Sequence, residues 1–332
     1  MSDANNRNVL VIGKIHRDAS QLLHGHGGLN ITMLNDPGAP IPTPLVEQSD
    51  AVLIRYGILT EAAIRDASRL RVVSRHGVGC DNLPVDALSA RGIPVTIVGP
   101  VTAVSVAEQT MASMLCLFKK TAAYDQAVRS GNWSIRDSLG VGEMAGKVLL
   151  LLGFGRIGRE VARRALAFDM QVLIFDPLVS EESAKAASVT KIDDWRAMLA
   201  SVDVLSVHLP LSQATHNIID AGVLAAMKPT GILINAARGG LVDEQALYEA
   251  LTGHLSAGGA GIDTFAQEPP AADMPLLRLP NVVLSPHSAA LTEEAGRRMS
   301  MVAAANVIAG LQGSLDPALI FNREALQQHA AA

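Results

Sequence analysis

Cysteine and clustered positive charge are both scarce in this 332-residue chain. The two cysteines, Cys80 and Cys116, show neither metal-ligand spacing nor a disulfide framework. That excludes a disulfide-stapled scaffold and a zinc module, and no metal is expected; a reducing, cytoplasmic setting is. No basic run exceeds pairs such as Lys119-Lys120 and Arg163-Arg164, and the net charge is −5, so nucleic acid is not an expected partner. Apolar runs fall far short of a membrane span, and Met1 to Asn6 lacks the basic and apolar regions of a signal peptide. Neither a membrane nor export is therefore expected. What is present is 49% hydrophobic and only 18% charged residues, enough to build two cored domains in a chain of this length.

Short β-rich runs recur at Val9–Ile12, Ile31–Leu34, Ala51–Ile54, Val72–Val73 and Val95–Val98, separated by amphipathic stretches such as Glu61–Ser68 and Val85–Ala90. This alternation predicts a parallel α/β sheet. The proline-rich segment Asp36–Pro44 reads as a loop. A long helical pattern, Val104–Val128, reads as a spine between two domains. Six further strands follow: Val148–Leu152, Val172–Phe175, Val204–Val207, Ile232–Asn235, Gly261–Thr264 and Val282–Leu284. A helix over Thr292–Leu311 runs back to the first domain, and the Ala-rich tail after Gln327 is expected to fray. The expected fold is α/β with two doubly wound parallel-sheet domains. A dinucleotide-binding Rossmann domain, 101–290, is inserted into a smaller flavodoxin-like substrate domain of 1–100 and 291–332.

Gly153-Phe154-Gly155-Arg156-Ile157-Gly158 sits between the strand Val148–Leu152 and a helix over Arg156–Phe168. In that context Gly153 permits the tight turn, Gly155 lets the backbone approach a pyrophosphate, and Gly158 allows close helix-to-strand packing. Asp176 ends the next strand, where it would accept hydrogen bonds from ribose hydroxyls and repel a 2′-phosphate. Three further residues lie just past strands: Arg238, Glu268 and His287. They are a cation for a carboxylate, an acid to tune a base, and a base for a hydroxyl proton. Singly each has a bland explanation; together on strand ends of one domain they point to oxidation of a hydroxy acid.

The chain resembles the D-isomer-specific 2-hydroxyacid dehydrogenase family, which includes phosphoglycerate and glycerate dehydrogenases and hydroxypyruvate reductases. The matching stretches are Gly77–Asn82, Ser105–Glu108, Gly146-Lys147 into Gly153–Gly158, Val207–Leu211, Thr215, Met227–Pro229, Asn235–Gly239, Asp263–Pro269 and Pro286-His287. The resemblance implies NAD as cofactor, a small 2-hydroxy or 2-oxo acid as substrate, and a homodimer along the Val104–Val128 helix. It implies that Arg238 clamps the substrate carboxylate, that His287 exchanges the proton, and that Glu268 orients His287. Backbone amides of Gly77, Val78 and Gly79 would cap the carboxylate. His208, Pro210, Thr215, Ala236, Ala237 and Asp263 would line the cofactor, with Arg238 and His287 beside it. Arg55, at the end of Ala51–Ile54, would face the far end of the substrate.

Thr102 stands where relatives commonly carry Asn, so the substrate's identity does not carry over. Arg75-His76 shapes the pocket or is a solvated pair beside a strand end. No added regulatory domain is expected after Phe321-Asn322. Two other readings share the fold. One is a formate dehydrogenase-like enzyme, in which Gln replaces the acid at Glu268. The other is a non-enzymatic NAD-sensing corepressor, for which no long tail is apparent.

Overall fold

The computed structural model describes residues 6–36, 41–80, 82–138 and 140–331. The chain divides into two compact units, Met1–Thr102 with Thr292–Ala332, and Ala103–Leu291. In the first, the strands are β1 (Arg7–Ile12), β2 (Leu29–Leu34), β3 (Ala51–Ile54), β4 (Val72–Arg75) and β5 (Val95–Thr96). The helices between them are α1 (Arg17–Gly25), α2 (Thr43–Glu47), α3 (Glu61–Arg65) and α4 (Val85–Ala90). The second unit begins with α5 (Ala103–Lys119) and α6 (Thr121–Arg129). There follow β6 (Val148–Leu152), α7 (Arg156–Ala167), β7 (Gln171–Phe175), α8 (Glu181–Ala186), β8 (Thr190–Lys191) and β9 (Val204–Val207). It is completed by α9 (Ala221–Ala226), β10 (Ile232–Asn235), α10 (Glu244–Thr252), β11 (Gly259–Ile262) and β12 (Val282–Leu284). α11 (Glu293–Gln312) and α12 (Arg323–Ala331) return to the first unit.

Both sheets are parallel. The smaller has the order β2-β1-β3-β4-β5 and the larger β12-β11-β10-β9-β6-β7-β8. Each order reverses once, at β1/β3 and at β6/β9, and crevices for ligands open at the carboxyl ends of strands at such points. Strands buried on both faces need apolar residues at every position, and here they divide by parity. Leu149 and Leu151 join Val161, Ala162 and Ala165 of α7 in one core cluster. Leu150 and Leu152 join Leu247 and Leu251 of α10 in the other. The smaller sheet divides the same way, Leu10 and Ile12 against Val9 and Val11.

Beyond shifts of a residue or two at strand ends, the structure departs from the sequence reading in the following ways. The helical pattern over Val104–Val128 is two helices, because Lys120 turns into the left-handed region at φ 48°. The last two residues of the proline-rich segment begin α2: Pro44 lies in its first turn, where a missing N–H breaks no intrahelical bond, while Pro37–Pro40 lie outside the described residues. A seventh strand, β8, adds to the larger sheet. β11 starts two residues before the expected Gly261, since glycine-rich Gly259–Gly261 has little strand propensity of its own and forms by pairing with β10. Among the described residues the tail is helical, through Ala331, where fraying was expected. Buried Asn322 ties it down by accepting from the Val95 amide at 2.9 Å and donating to Ser89 Oγ at 2.9 Å and the Ile93 carbonyl at 3.1 Å.

Each unit carries a carboxylate stapling the amino ends of its strands. Asp50 accepts from the Asn8 amide, Arg69 and Arg7, and Asp203 from the Val148 amide and Lys228 Nζ, both at 2.9 Å. Burial opposes the charge on Asp203, but the Val148 amide and Lys228 outweigh it and hold the pKa below 3.8. A carboxyl whose folded pKa lies below its unfolded value stabilises above the unfolded pKa, and that stabilisation is lost as pH falls through the folded one. Asp203→Asn is expected to cost about 1–3 kcal/mol at pH 7. The gap between variant and parent urea midpoints should narrow as pH falls below 3.8; a gap that stays equal from pH 7 into strong acid would refute the assignment.

Candidate functional site

At the β6/β9 reversal, Gly153 follows β6 with φ +96°, and a Cβ there would stand 2.6 Å from the His208 carbonyl oxygen. Gly158 packs its backbone as tightly, with a Cβ position 2.4 Å from the Gly153 oxygen. Gly155 differs: it caps α7 with no side-chain hydrogen bond, and nothing lies within 4 Å of its Cβ position. Two glycines thus seat the helix against the sheet, and the third leaves open space before uncapped N–H groups, the arrangement that receives a pyrophosphate. Phe154 and Ile157 pack inward, Phe154 beneath the Arg159 guanidinium at 4.5 Å from its ring centroid, while Arg156 is exposed. Asp176, just past β7, accepts from the Phe154 amide at 2.8 Å and the Leu178 amide at 2.9 Å. The acid is therefore tied to the glycine turn itself.

Past β9, His208 Nε2 lies 2.9 Å from Ser206 Oγ, and its Nδ1 is buried without a hydrogen-bond partner among the described residues. Burial pushes its pKa down to about 4, so the ring is neutral. Thr215 Oγ1 donates to the Pro210 carbonyl at 2.7 Å and accepts from the Ser212 amide at 2.8 Å, closing that loop on itself. Past β10, buried Asn235 brackets the next turn, accepting from the Ala237 amide at 3.1 Å and donating to the Arg238 carbonyl at 2.8 Å. Ala236 and half-buried Arg238 lie within that turn, and the Arg238 guanidinium donates to the Ala237 carbonyl at 2.8 Å.

His287 and Glu268 meet on the same edge. His287 Nδ1 is 2.7 Å from Glu268 Oε2, and Glu268 Oε1 accepts from the Phe265 amide at 3.0 Å. With Nδ1 engaged, Nε2 is the nitrogen left for chemistry. His287 adopts φ +51°, held by its amide donating to the Asp263 carbonyl at 2.7 Å. The Asp263 carboxylate fixes the rest of the turn, accepting from Ser285 Oγ (2.5 Å), the Ser288 amide (2.9 Å) and the Ala289 amide (3.1 Å). Sequence reasoning gave Asp263 only a cofactor contact and overlooked both Asn235 and this turn-building role. The available signal was a polar residue at or just past the end of a buried strand. A cavity of about 440 Å³ adjoins the pair, walled by Phe265, Pro269, Leu277, Leu284 and Pro286.

In the smaller unit, Arg55 follows β3 and donates to the Lys14 carbonyl at 2.5 Å; a cavity of about 190 Å³ includes Lys14, Arg55 and His76. Gly77, Val78 and Gly79 follow β4, and Asp81 of that stretch lies outside the described residues. Arg75 donates to the carbonyls of Gly79, Ile54 and Arg55, which makes it a builder of these strand ends rather than a solvated charge. His76 is buried 2.8 Å from Ser300 Oγ; burial, then the charges of Arg55 and Arg75, push its pKa down to about 4. Thr102 is buried at the end of the unit's first segment. Among the described residues, no cluster of His, Cys, Asp and Glu could hold a metal, and no helix is long and apolar enough to cross a membrane.

Residues 111–289 match the model of the D-isomer specific 2-hydroxyacid dehydrogenase family, NAD binding domain. The chain is 40% identical over 265 residues to a D-3-phosphoglycerate dehydrogenase of Archaeoglobus fulgidus, covering 79% of this chain and 50% of that protein. It is 35% identical over 291 residues to a hydroxypyruvate reductase of Thermotoga maritima, covering 86% and 92%. The chain spans about half the length of the phosphoglycerate dehydrogenases it matches. Among solved structures, a D-lactate dehydrogenase from Aquifex aeolicus, complexed with NAD and lactic acid, superposes with a TM-score of 0.82 at 28% identity, covering 92% of this chain and 96% of that one.

The glycines should separate by role. Gly153→Ala meets both a left-handed φ, costing about 1–2 kcal/mol, and the His208 carbonyl, and should lower the melting temperature by about 4 °C or more. Gly155→Ala should melt with the parent yet bind NADH more weakly in a fluorescence titration. Unaltered NADH affinity in Gly155→Ala would remove that position from the cofactor site.

Proposed function

The chain belongs to the D-isomer-specific 2-hydroxyacid dehydrogenase family, and we propose that it interconverts a small 2-oxo acid and its D-2-hydroxy acid. NAD is the cofactor, and the open ground at Gly155, the uncapped α7 and Asp176 suit it. Bound, its nicotinamide supplies or accepts the hydride. The observation carrying the reading is the 2.7 Å contact between His287 and Glu268 on the edge that also carries Arg238.

Arg238 offers a planar fork of donors to the substrate carboxylate and polarises the adjacent 2-oxo group. His287 gives its Nε2 proton to the carbonyl oxygen in reduction and takes it back in oxidation. Glu268 fixes the ring through Nδ1 and so orients Nε2 towards the reacting carbonyl. The apolar cavity beside the pair offers a wall against which the substrate or the nicotinamide can pack. In the smaller unit, the amides of Gly77–Gly79 and the guanidinium of Arg55 are assigned to the substrate carboxylate and far end. Steady-state turnover of NADH with glyoxylate and hydroxypyruvate tests the reading, and comparing Arg55→Ala on the two substrates reads its last element.

His287→Ala is expected to bind NADH like the parent and lose roughly 10²–10⁴-fold in turnover. Glu268→Ala removes the Nδ1 partner that orients the ring, so kcat for reduction should fall while NADH affinity is kept. An unchanged kcat would take Glu268 out of this role.

Cofactor choice follows from Asp176. A 2′-phosphate would meet its carboxylate, a like-charge contact costing on the order of 1 kcal/mol or more, so NADH should be preferred over NADPH by about tenfold or better. Asp176→Ala should erase the preference; equal kcat/KM for both cofactors in the parent would refute the assignment.

A further inference from the structure

Glu244 opens α10 but does not cap it; that work belongs to Asp243, whose carboxylate accepts from the Ala246 amide at 3.0 Å. Glu244 Oε1 instead accepts from the Ala266 amide at 2.7 Å, in the loop that leads to Glu268. The preceding amide, Phe265, donates to Glu268 Oε1 at 3.0 Å. Two successive amides are thus shared between two carboxylates, one of them the partner of His287. On the Arg238 side, Gly239 packs against the same peptide: a Cβ there would lie 1.9 Å from the Phe265 carbonyl carbon and 2.3 Å from the Ala266 nitrogen. The segment from Arg238 to α10 therefore touches the Phe265-Ala266 peptide at both ends, through Gly239 and through Glu244.

We propose that Glu244 is a positioning residue: its bond to Ala266 locks the Arg238-to-α10 segment against the 265–268 loop and fixes the spacing between the guanidinium and the Glu268–His287 pair. Gly239 alone sets only a contact distance, and a contact can slide; the hydrogen bond adds the directional restraint that stops it. The arrangement has an electrostatic cost, which argues against an incidental contact. Burial, together with the charges of Asp243 and Glu268, raises the Glu244 pKa above its usual value, against the Ala266 hydrogen bond that lowers it. A carboxylate placed near two others is retained here with its bond made to the loop that carries the acid–base partner.

The proposal rests on the dehydrogenase reading for its kinetic consequence, but not for its structural one. Glu244→Ala should lower kcat for a 2-oxo acid by about 10–100-fold, the scale of a misplacement near 1 Å, and leave the NADH Kd within about twofold of the parent. Amide exchange at Ala266 should speed up in the same variant. Glu244→Gln keeps an acceptor oxygen at the same reach and should restore both readouts, kcat to within about threefold of the parent. Should the alanine variant fail to fold, Glu244→Asp, one methylene too short for Ala266, takes its place. Unchanged exchange at Ala266 in the alanine variant, or Glu244→Gln losing as much as Glu244→Ala, would overturn the proposal. A parent protein that turns over no 2-oxo acid overturns the dehydrogenase reading alone, because amide exchange is measured without turnover.

Discussion

Parallel pairing in register is the constraint from which the site follows. In the larger sheet Leu152 is level with Phe175 and Val207, Val207 with Asn235, Asn235 with Ile262, and Ile262 with Leu284. All six strands run the same way, so the chain leaves the sheet along one row. Gly153, Asp176, His208, Ala236, Asp263 and Ser285 are each the first residue out. A glycine turn, the acid tied to that turn, an arginine turn and the loops bearing Glu268 and His287 are gathered on one edge without any long connection. The opposite edge receives the structural charges, Asp203 with Lys228 and the Val148 amide.

Leaving a sheet abruptly exposes backbone groups that need partners, and two buried polar residues supply them. Asn235 serves the turn that carries Arg238, and Asp263 serves the turn that carries His287. The second is the more demanding. A left-handed φ at a residue other than glycine costs on the order of 1 kcal/mol or more and persists only where the surroundings over-determine it. Asp263 does so from both sides, its carbonyl taking the His287 amide and its carboxylate taking the two amides that follow. The His287 ring is thereby aimed by a carboxylate that never needs to touch it.

Environment also separates the histidines. His76 and His208 are driven neutral by burial, with pKa values near 4, and each pairs with a serine hydroxyl. His287 is instead half-exposed, with Nδ1 2.7 Å from the Glu268 carboxylate. The same side chain is a fixed hydrogen-bonding element in two places and, in the proposed reaction, the proton carrier in the third.

Some of this was legible in the residues alone. Val148–Leu152, Val204–Val207, Ile232–Asn235 and Val282–Leu284 read residue for residue as strands, because each is a short, mainly apolar and β-branched run bounded by polar or turn residues. The spacing Gly153, Gly155, Gly158 and the strand end at Asp176 were readable because each answers to local backbone geometry. Tertiary structure decided the rest. The break at Lys120 has no glycine or proline to announce it, and Gly259–Ile262 becomes a strand only through its neighbours. The tail is helical because Asn322 reaches the edge strand, and His287 is aimed because Asp263 gathers donors 22 to 26 residues further along the chain. Periodicity and glycine spacing are properties of adjacent residues, whereas the pairing of a buried polar atom depends on which distant donors the fold delivers to it.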